Sequence, residues 1–207
     1  MDREKILIIG GGGHAKVVID AALLADKYML AGIIDNHLPV GKKILGIKVL
    51  GNDSDLQRLF KNGIKKAFIA VGSVGDCSVR KNIYKKIKAI GFDSPAIVHP
   101  AAVLARDVFL GEGTFVAASA TINVGTRIGE HAIINTASSI DHDCQLGNFV
   151  HIAPGARLSG GVTIGDEAHI GTGANIIQNI KIGKRCVIGA GTTVLSEVKD
   201  GKKYYGI

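Results

Sequence analysis

Every sixth residue from Val98 to Val194 is Val, Leu or Ile, so seventeen consecutive positions of a six-residue frame carry a large aliphatic side chain. An unbroken series of this length indicates a repeat architecture rather than chance. Glycines recur with a slower period of eighteen residues, each directly after a member of the aliphatic series. The two periods together predict that three hexapeptides form one coil. These glycines are Gly111, Gly129, Gly147, Gly165 and Gly183.

A period of six matches neither the 3.6-residue turn of a helix nor the simple alternation of a long strand. It fits short strands joined by tight corners, with one large aliphatic side chain pointing inward from each strand. A mostly small residue follows each aliphatic residue by four positions, as Ala120 and Cys144 do, and this suits the limited space beside a corner. We therefore expect stacked coils of parallel strands in a triangular prism, with glycine where the backbone of another residue would be strained.

The chain before the repeat has a different pattern, in which apolar runs alternate with amphipathic stretches. This alternation is typical of a parallel α/β unit. We divide the chain into an α/β domain over residues 1–95 and a β-helix domain over residues 96–207. Only two or three parallel strands are readable in the first domain, which argues against a dehydrogenase. The predicted extended segments are 5–9, 30–34, 47–50 and 66–71, and the predicted helices are 14–25, 53–61 and 77–90.

Composition and charge narrow the class of protein. The chain is 46% hydrophobic, but no apolar run approaches the roughly 18 residues that span a bilayer, and the first residues lack a signal peptide's cleavage region. We therefore expect a cytoplasmic protein without a membrane partner. The formal charge of +7 comes from scattered Lys and Arg residues, which favours small polyanions such as nucleotides or coenzyme A over nucleic acid. A solubilising surface charge is the simpler explanation.

Four consecutive glycines, Gly10 to Gly13, precede His14 between the first predicted strand and the first predicted helix. Such a turn lets the backbone approach a ligand closely, and the free N–H groups at the start of the helix suit a phosphate. The turn matches a dinucleotide fingerprint only in part, because its third glycine position holds Ala15, although Asp35 provides an acid about twenty residues on. A turn that only packs is the alternative. We favour a mononucleotide or sugar-nucleotide site.

One coil carries a polar cluster that the repeat does not require. It consists of Asp141, His142 and Asp143, with His151 nine residues after His142. Histidine is the natural proton acceptor near neutral pH, and adjacent carboxylates hold its tautomer and raise its basicity. Exposed corner residues and a metal site are the alternatives, but no pair of histidines has a typical metal-ligand spacing. Cys144 is expected to point inward, which argues against an acyl-enzyme.

These features together resemble the bacterial sugar O-acyltransferase family, which includes the sialic acid O-acetyltransferases. The resemblance rests on the glycine turn with His14, on Asn135-Thr136, on residues 141–144 and on His151. Within that family the chain is most similar to the acetyltransferases that modify the 4-amino group of nucleotide-linked amino sugars. The resemblance implies a left-handed parallel β-helix, an exception to the usual right-handed crossover. It also implies a homotrimer that binds acetyl-CoA, the acyl donor, in the groove between adjacent prisms.

The same resemblance implies roles for individual residues. His142 is the expected general base, and Asp143 is expected to raise its basicity. No metal is expected to take part. Acetyl-CoA is expected to bind at His151, at Gly160, which would donate its N–H to the thioester carbonyl, and at Thr172 and Ala190. The nucleotide sugar is expected to bind at Gly12, Gly13, His14, Asp35, Asn36, Gly72 and Asn135.

We therefore predict an acetyl-CoA-dependent N-acetyltransferase that acts directly, with a histidine base, on a UDP- or dTDP-linked 4-amino sugar. Relatives that use uridine nucleotides often carry two acids where this chain has Asp35-Asn36, so guanosine also remains open. Three alternatives keep the same β-helix. They are an O-acetyltransferase of a free sugar acid such as sialic acid, a trimeric scaffold without catalysis, and a metal-dependent carbon dioxide hydratase. The last would need a third histidine in register.

Overall fold

The computed structural model describes residues 3–206, and its first part is an α/β domain. The strands of this domain are β1 (Lys5–Ile9), β2 (Met29–Ile34), β3 (Lys43–Ile44), β4 (Ile47–Gly51) and β5 (Lys66–Ile69). Its helices are α1 (Gly13–Ala25), α2 (Leu56–Lys61) and α3 (Ser78–Ile90), and a 3-10 turn at Asp53–Asp55 precedes α2. The sheet order is β3-β4-β2-β1-β5, and all neighbours are parallel except β3 and β4.

Every element predicted for this domain is present, with ends within two residues of the prediction. The count of two or three parallel strands was too low, because the extended piece at residues 47–51 joins β2 as a fourth parallel strand. The hairpin between β3 and β4 was not predicted. Asn52 caps the turn before α2 through its side chain, and Gly91 ends α3 in a left-handed conformation with φ of 104°, as expected for helix ends.

The second part is a parallel β-helix of two-residue strands. Its strands form three sheets, and the paired residues are eighteen positions apart, as Ile122 and Ile140 are, except in the last pair of strands, where Ile188 and Tyr204 are sixteen apart. The prediction of three hexapeptides per coil is therefore confirmed. The first sheet holds β6 (Ile97–Val98), β9 (Phe115–Val116), β12 (Ile133–Ile134), β15 (His151–Ile152), β18 (His169–Ile170), β21 (Val187–Ile188) and β23 (Lys203–Tyr204). The second sheet holds β7 (Val103–Leu104), β10 (Thr121–Ile122), β13 (Ser139–Ile140), β16 (Arg157–Leu158), β19 (Asn175–Ile176) and β22 (Thr193–Val194). The third sheet holds β8 (Phe109–Leu110), β11 (Arg127–Ile128), β14 (Gln145–Leu146), β17 (Thr163–Ile164) and β20 (Lys181–Ile182).

The aliphatic series forms the core of the prism. Every strand from β6 to β22 ends on one member of the series, and from Val116 to Val194 each member is at most 5% exposed. The small residues four positions later, such as Ala120 and Cys144, are fully buried beside them. Both predictions from the frame are confirmed. Stacking these side chains removes a continuous column of apolar surface from water, which is the main stabilising contribution available to such short strands.

The periodic glycines are needed for a reason other than the predicted backbone strain. Gly111 does not have a positive φ, but a Cβ there would lie 2.5 Å from the carbonyl carbon of Gly129 in the next coil. The left-handed conformation falls instead at every sixth residue from 113 to 191, with φ between 52° and 71°. Asp143 is one of these residues, with φ of 59°. The five glycines of the eighteen-residue period therefore permit the close stacking of coils.

The α/β domain packs on the outer face of the first β-helix sheet. Phe115 and Ile133 of that face belong to the same hydrophobic cluster as Ile6 and Val18 of the α/β domain. Polar contacts from α3 reinforce the packing, because Lys81 pairs with Glu167 at 2.7 Å and Lys88 with Glu112 at 2.9 Å. The division at residues 95 and 96 stays a prediction, and β6 begins directly after it. Within residues 3–206, no helix combines the length and apolar character needed to cross a bilayer.

Candidate active site

Two adjoining cavities border the glycine turn. The first, here called the strand-end cavity, measures about 390 Å³ and lies where β1, β2 and β5 end. The second, the junction cavity, measures about 430 Å³ and lies between the α/β domain and the β-helix. Both cavities share Gly13, His14 and Gly72. The strand-end cavity is lined by Gly12, Gly13, His14, Asp35, Asn36 and Gly72, and the junction cavity adds Asn135 and His151 to the shared residues.

The four glycines of the turn fall into two classes. Gly10 has φ of 105°, and a Cβ there would lie 2.7 Å from Val71. A Cβ on Gly11 would lie 2.4 Å from Leu38, so these two positions require glycine for packing. A Cβ on Gly12 or Gly13 would meet nothing within 4 Å. Packing therefore explains the first pair only, whereas the second pair leaves the backbone open to the cavities.

The start of α1 is suited to an anion. Its N-cap, Gly12, offers no side-chain hydrogen bond, and the first turn contains no acidic residue. The first N–H groups of a helix carry a partial positive charge and bind phosphate when no side chain caps them. Lys16, Lys42 and Lys43 line a further opening beside Gly11, Gly12 and Gly13. Three ammonium groups next to an uncapped helix start favour a diphosphate at this turn.

Asp35 lies in the strand-end cavity, but its carboxylate is engaged with the backbone. Its Oδ2 accepts the Gly11 N–H at 2.7 Å, and its Oδ1 accepts the N–H groups of His37 at 2.8 Å and Leu38 at 3.0 Å. Asn36 accepts the Asp53 N–H through Oδ1 at 3.0 Å, which leaves its NH₂ group to offer to a ligand. Asp35 therefore shapes the turn, and Asn36 is the better candidate for direct contact.

His142 lies at the corner between the second and third β-helix sheets. Its Nδ1 lies 2.8 Å from Oδ2 of Asp143, and its side chain is 55% exposed. Asp141 accepts the His142 N–H at 2.8 Å and is itself held by Asn123 at 2.9 Å. The hydrogen bond that His142 donates to Asp143, followed by the charge of Asp141, raises the pKa of His142. Because Nδ1 faces a carboxylate, the proton belongs on Nδ1 and the Nε2 lone pair is free to act as a base.

Gly160 lies directly beside this base, one coil further on. A Cβ at Gly160 would lie 2.5 Å from Nε2 of His142, so any side chain there would cover the lone pair. Among the described residues the Gly160 N–H has no hydrogen-bond partner. Cys144, by contrast, is fully buried, its thiol points to the Ser159 carbonyl at 3.3 Å, and burial raises its pKa. The predicted inward orientation of Cys144 is confirmed.

His151 lies elsewhere, on the outer face of the first sheet beneath the segment at Ser73. Its Nδ1 lies 2.7 Å from the Ser73 carbonyl oxygen, and its Nε2 lies 3.3 Å from Nδ2 of Asn135. Its ring meets the ring of His169 at 4.9 Å. His142 and His151 were predicted to form one cluster, but the structure does not bring them together within one chain. The contact between His151 and His169 was not predicted, although the spacing of eighteen residues places His169 opposite His151 in β18.

Thr172 and Ala190 lie at the corner between the first and second sheets. This corner also carries Asn135-Thr136, since similar backbone hydrogen bonds of 2.8–2.9 Å join successive coils there, from the Gly155 N–H to the Thr136 carbonyl and from the Gly191 N–H to the Thr172 carbonyl. Ala190 lines a groove of about 380 Å³ with Tyr204 and Tyr205. The predicted coenzyme residues at this corner are therefore separated from His142 and Gly160 by the full width of the second sheet.

The pair formed by His142 and Asp143 makes a prediction about titration. Because Asp143 raises the pKa of His142, Asp143→Asn should lower the pKa of His142, and a smaller fraction of the imidazole is then charged at any pH near the midpoint. NMR titration of the His142 ring measures this directly. Asp107→Asn is the matched control, because Asp107 lies two coils earlier at the same corner and, within residues 3–206, binds only the Gly125 N–H. An unchanged His142 titration in Asp143→Asn would contradict the contact.

Comparisons with known proteins agree with this geometry. The family model of the PglD N-terminal domain matches residues 5–87, and that of the bacterial transferase hexapeptide, six repeats, matches residues 161–196. A curated relative, UDP-N-acetylbacillosamine N-acetyltransferase of Bacillus subtilis, is 33% identical over 117 residues. The match covers 56% of this chain and 52% of that protein, so it spans about half of the curated relative.

Solved structures are similar over nearly the whole chain. A mutant of perosamine N-acetyltransferase from Caulobacter crescentus, solved with coenzyme A and GDP-perosamine, is 38% identical with a TM-score of 0.89. The match covers 95% of this chain and 90% of that one. The acetyltransferase domain of PglB from Neisseria gonorrhoeae, solved with acetyl coenzyme A, is 34% identical with a TM-score of 0.88, covering 97% of this chain and 95% of that one. These matches establish the left-handed hexapeptide β-helix, whereas none of them points to the sialic acid O-acetyltransferases in particular.

Proposed function

The chain belongs to the hexapeptide-repeat N-acetyltransferases of nucleotide-linked amino sugars, and we propose that it transfers an acetyl group from acetyl-CoA to the 4-amino group of such a sugar. One observation carries the proposal. The Nε2 lone pair of His142 is held free by the Nδ1 contact with Asp143 and lies against Gly160, which has no side chain to cover it. A basic nitrogen beside an open N–H donor suits direct acyl transfer.

The proposed reaction is a single displacement. The neutral amine of the sugar attacks the thioester carbonyl, and Nε2 of His142 accepts the amine proton as the C–N bond forms. The Gly160 N–H donates to the oxyanion. When the C–S bond breaks, the thiolate of coenzyme A takes the proton from the imidazolium, which restores the base. Asp143 stabilises the imidazolium during this interval. No protein nucleophile is required, and the buried Cys144 thiol is not placed to act as one.

The separation of the two corners supports the proposed homotrimer. The base lies at the corner between the second and third sheets, whereas Thr172 and Ala190, proposed to line the path of acetyl-CoA, lie at the corner between the first and second sheets. A single prism holds these corners apart by one sheet. In a homotrimer, the corner between the second and third sheets of one copy could pack against the corner between the first and second sheets of its neighbour. The base of one copy and the acetyl-CoA residues of the other would then line the same groove. We therefore propose that each active site is completed by two copies of the chain.

The strand-end cavity is the proposed site of the nucleotide. The open backbone of Gly12 and Gly13 and the nearby lysines favour the diphosphate, and the NH₂ group of Asn36 can donate to a carbonyl oxygen of the base. Uracil, thymine and guanine all offer such an oxygen. UDP or dTDP stays the proposed nucleotide, and GDP is the competing choice because the Caulobacter crescentus relative was solved with GDP-perosamine.

A ligand panel tests the proposal. The protein is heated with UDP-, dTDP- and GDP-linked 4-amino sugars, each with and without acetyl-CoA, and the melting temperature is recorded. One nucleotide sugar should protect the protein, and mass spectrometry should then detect its monoacetylated form. Free sialic acid serves as the comparison. Acetylation of sialic acid without any effect of the nucleotide sugars would favour the O-acetyltransferase alternative, and no binding of coenzyme A would favour the scaffold.

The two classes of glycine give a second prediction. Gly13→Leu should raise the KM for the nucleotide sugar several-fold or more, because the side chain enters both cavities, while the melting temperature should not fall, since leucine is a better helix former than glycine. Gly10→Ala is the contrasting variant. It should lower the melting temperature, because alanine is strained at φ of 105° and would contact Val71. If Gly13→Leu left the KM unchanged, the open glycines would not face the substrate.

A further inference from the structure

The His142 and Asp143 pair rests on a short segment of the preceding coil. Residues 123–126, here called the support segment, lie one coil before residues 141–144, at the corner between the second and third sheets. Three of the four residues form hydrogen bonds to the turn that carries the base, and the fourth, Gly125, touches it by lacking a side chain. The geometry of the pair therefore depends on the support segment.

The support segment fixes the backbone on both sides of the base. The Thr126 side chain is fully buried. Its Oγ1 donates to the Asp141 carbonyl oxygen at 2.9 Å and accepts the Cys144 N–H at 3.2 Å. The Val124 carbonyl oxygen accepts the Asp143 N–H at 2.9 Å. These three hydrogen bonds hold Asp143 in the left-handed conformation, with φ of 59°.

Asn123 holds the first of the two carboxylates beside the base. Its Nδ2 donates to Oδ1 of Asp141 at 2.9 Å, and the same oxygen accepts the His142 N–H at 2.8 Å. Because Oδ1 is bound from two sides, the Asp141 carboxylate is fixed next to the imidazole without contacting its Nδ1. The Nδ1 atom is left to the second carboxylate.

Gly125 makes room for that second carboxylate. A Cβ on Gly125 would lie 2.4 Å from Oδ1 of Asp143, which is too close for two atoms that are not bonded. The other oxygen of the same carboxylate, Oδ2, lies 2.8 Å from Nδ1 of His142. A carboxylate is rigid and planar, so a group that displaces Oδ1 also moves Oδ2. Any side chain at residue 125 would therefore disturb the hydrogen bond between Asp143 and His142.

The backbone conformation alone does not account for glycine at residue 125. Gly125 has φ of 71°, but eight positions of the same six-residue series have a positive φ and another residue. Ala137 shows that alanine is accepted there, with φ of 54°. The space that Asp143 occupies gives the more specific reason for glycine. The eight residues are Ser119, His131, Ala137, Asp143, Phe149, Glu167, Asn179 and Arg185.

Resting on the proposed function, we propose that Gly125 is a positioning residue, which keeps the Asp143 carboxylate on Nδ1 of His142 by leaving space for it. Gly125 acts through Asp143 and not on the substrates. The coil before the base thus takes part in the reaction by setting the geometry of the pair. Two experiments test the proposal, one in the free protein and one during turnover.

The first experiment titrates His142 by NMR without substrate. Gly125→Ala should lower the His142 pKa, because the displaced carboxylate no longer stabilises the imidazolium, while Asp141, the other carboxylate beside the ring, stays in place. Gly201→Ala is the matched control. Gly201 has φ of 69°, and a Cβ there would meet nothing within 4 Å, so this variant carries similar backbone strain at a different corner. Equal His142 titrations in the two variants would overturn the proposal.

Folding of the variant is checked by its melting temperature. Gly125→Ala and Gly201→Ala should lose a similar amount of stability, because the Asp143 side chain is 70% exposed and can turn into solvent. If Gly125→Ala does not fold, Gly125→Asn introduces the same Cβ at lower backbone cost, since asparagine adopts the left-handed conformation more readily. The chain itself has asparagine at this corner, at Asn179 with φ of 61°. The same fall in the His142 pKa is expected.

The second experiment follows turnover. Gly125→Ala should lower kcat about tenfold, the effect of losing one hydrogen bond to a charged group, and leave the KM of both substrates unchanged. In an Asp143→Ala background the same substitution should cause no further loss, because the displaced carboxylate is already absent. Independent, multiplicative losses in the double variant would overturn the proposal. If the proposed function failed, the native protein would show no turnover, whereas the titration would still test the role of Gly125.

Discussion

His142→Ala is expected to lower kcat by about two to four orders of magnitude, the usual contribution of a positioned general base. The physical reason is that the amine must lose a proton as it attacks the thioester, and no other imidazole at this corner can accept it. The side chain is 55% exposed and outside the aliphatic core, so the melting temperature should hardly change. The measurement is steady-state turnover of the acetylated nucleotide sugar, together with thermal unfolding of the same sample.

Arg106→Ala is the matched control for this experiment. Arg106 is exposed at the same corner two coils before His142, so its loss tests the effect of truncating any corner side chain. The control should keep the kcat of the native protein. A His142→Ala protein with native turnover would show that another group accepts the proton.

Ile164→Asp is expected to abolish folding at ambient temperature. Ile164 is 1% exposed and pairs in register with Leu146 and Ile182, so the new carboxyl group would sit inside the aliphatic stack without a hydrogen-bond partner. Burying an unpaired charge costs more than most single substitutions, and the stability of a domain is only about 5–15 kcal/mol. Chemical denaturation followed by circular dichroism measures the loss.

Thr163→Asp is the control for this second prediction. Thr163 precedes Ile164 in the same strand but points to solvent, so the same charge one position away should leave stability nearly unchanged. The contrast between the two variants isolates the inward frame from any general effect of an aspartate in β17. Equal denaturation midpoints for both variants would mean that the six-residue frame does not define the core.

The fold was largely predictable because its determinants are local and periodic. The series from Val98 to Val194 fixed the strand ends, the number of hexapeptides per coil and the buried face. Two features escaped prediction for physical reasons. Only two residues of β3 pair with β4 in the hairpin. In its turn, Leu45 has a φ of 47°, at a position where asparagine or aspartate would be usual. The reason for glycine at Gly111 is the approach of the next coil, which appears only when the coils are stacked.

The candidate site was predictable in part. The pair of His142 and Asp143 lies in consecutive positions, so their contact follows from the sequence, whereas the contact of His151 with Ser73 depends on how the α/β domain packs on the β-helix. The same limit applies to Asp35. Its position after β2 indicated a ligand-binding acid, but the sequence does not reveal that three backbone N–H groups already occupy the carboxylate.

The most direct test of the account uses ¹³C-labelled acetyl-CoA, the protein and the nucleotide-linked 4-amino sugar that best protects the protein from melting. NMR then follows the labelled acetyl group. The proposal predicts one labelled acetyl group per sugar, joined to the nitrogen at C4 through an amide, with release of free coenzyme A. Label on a sugar oxygen, label retained on the protein, or no transfer to any nucleotide sugar would contradict it.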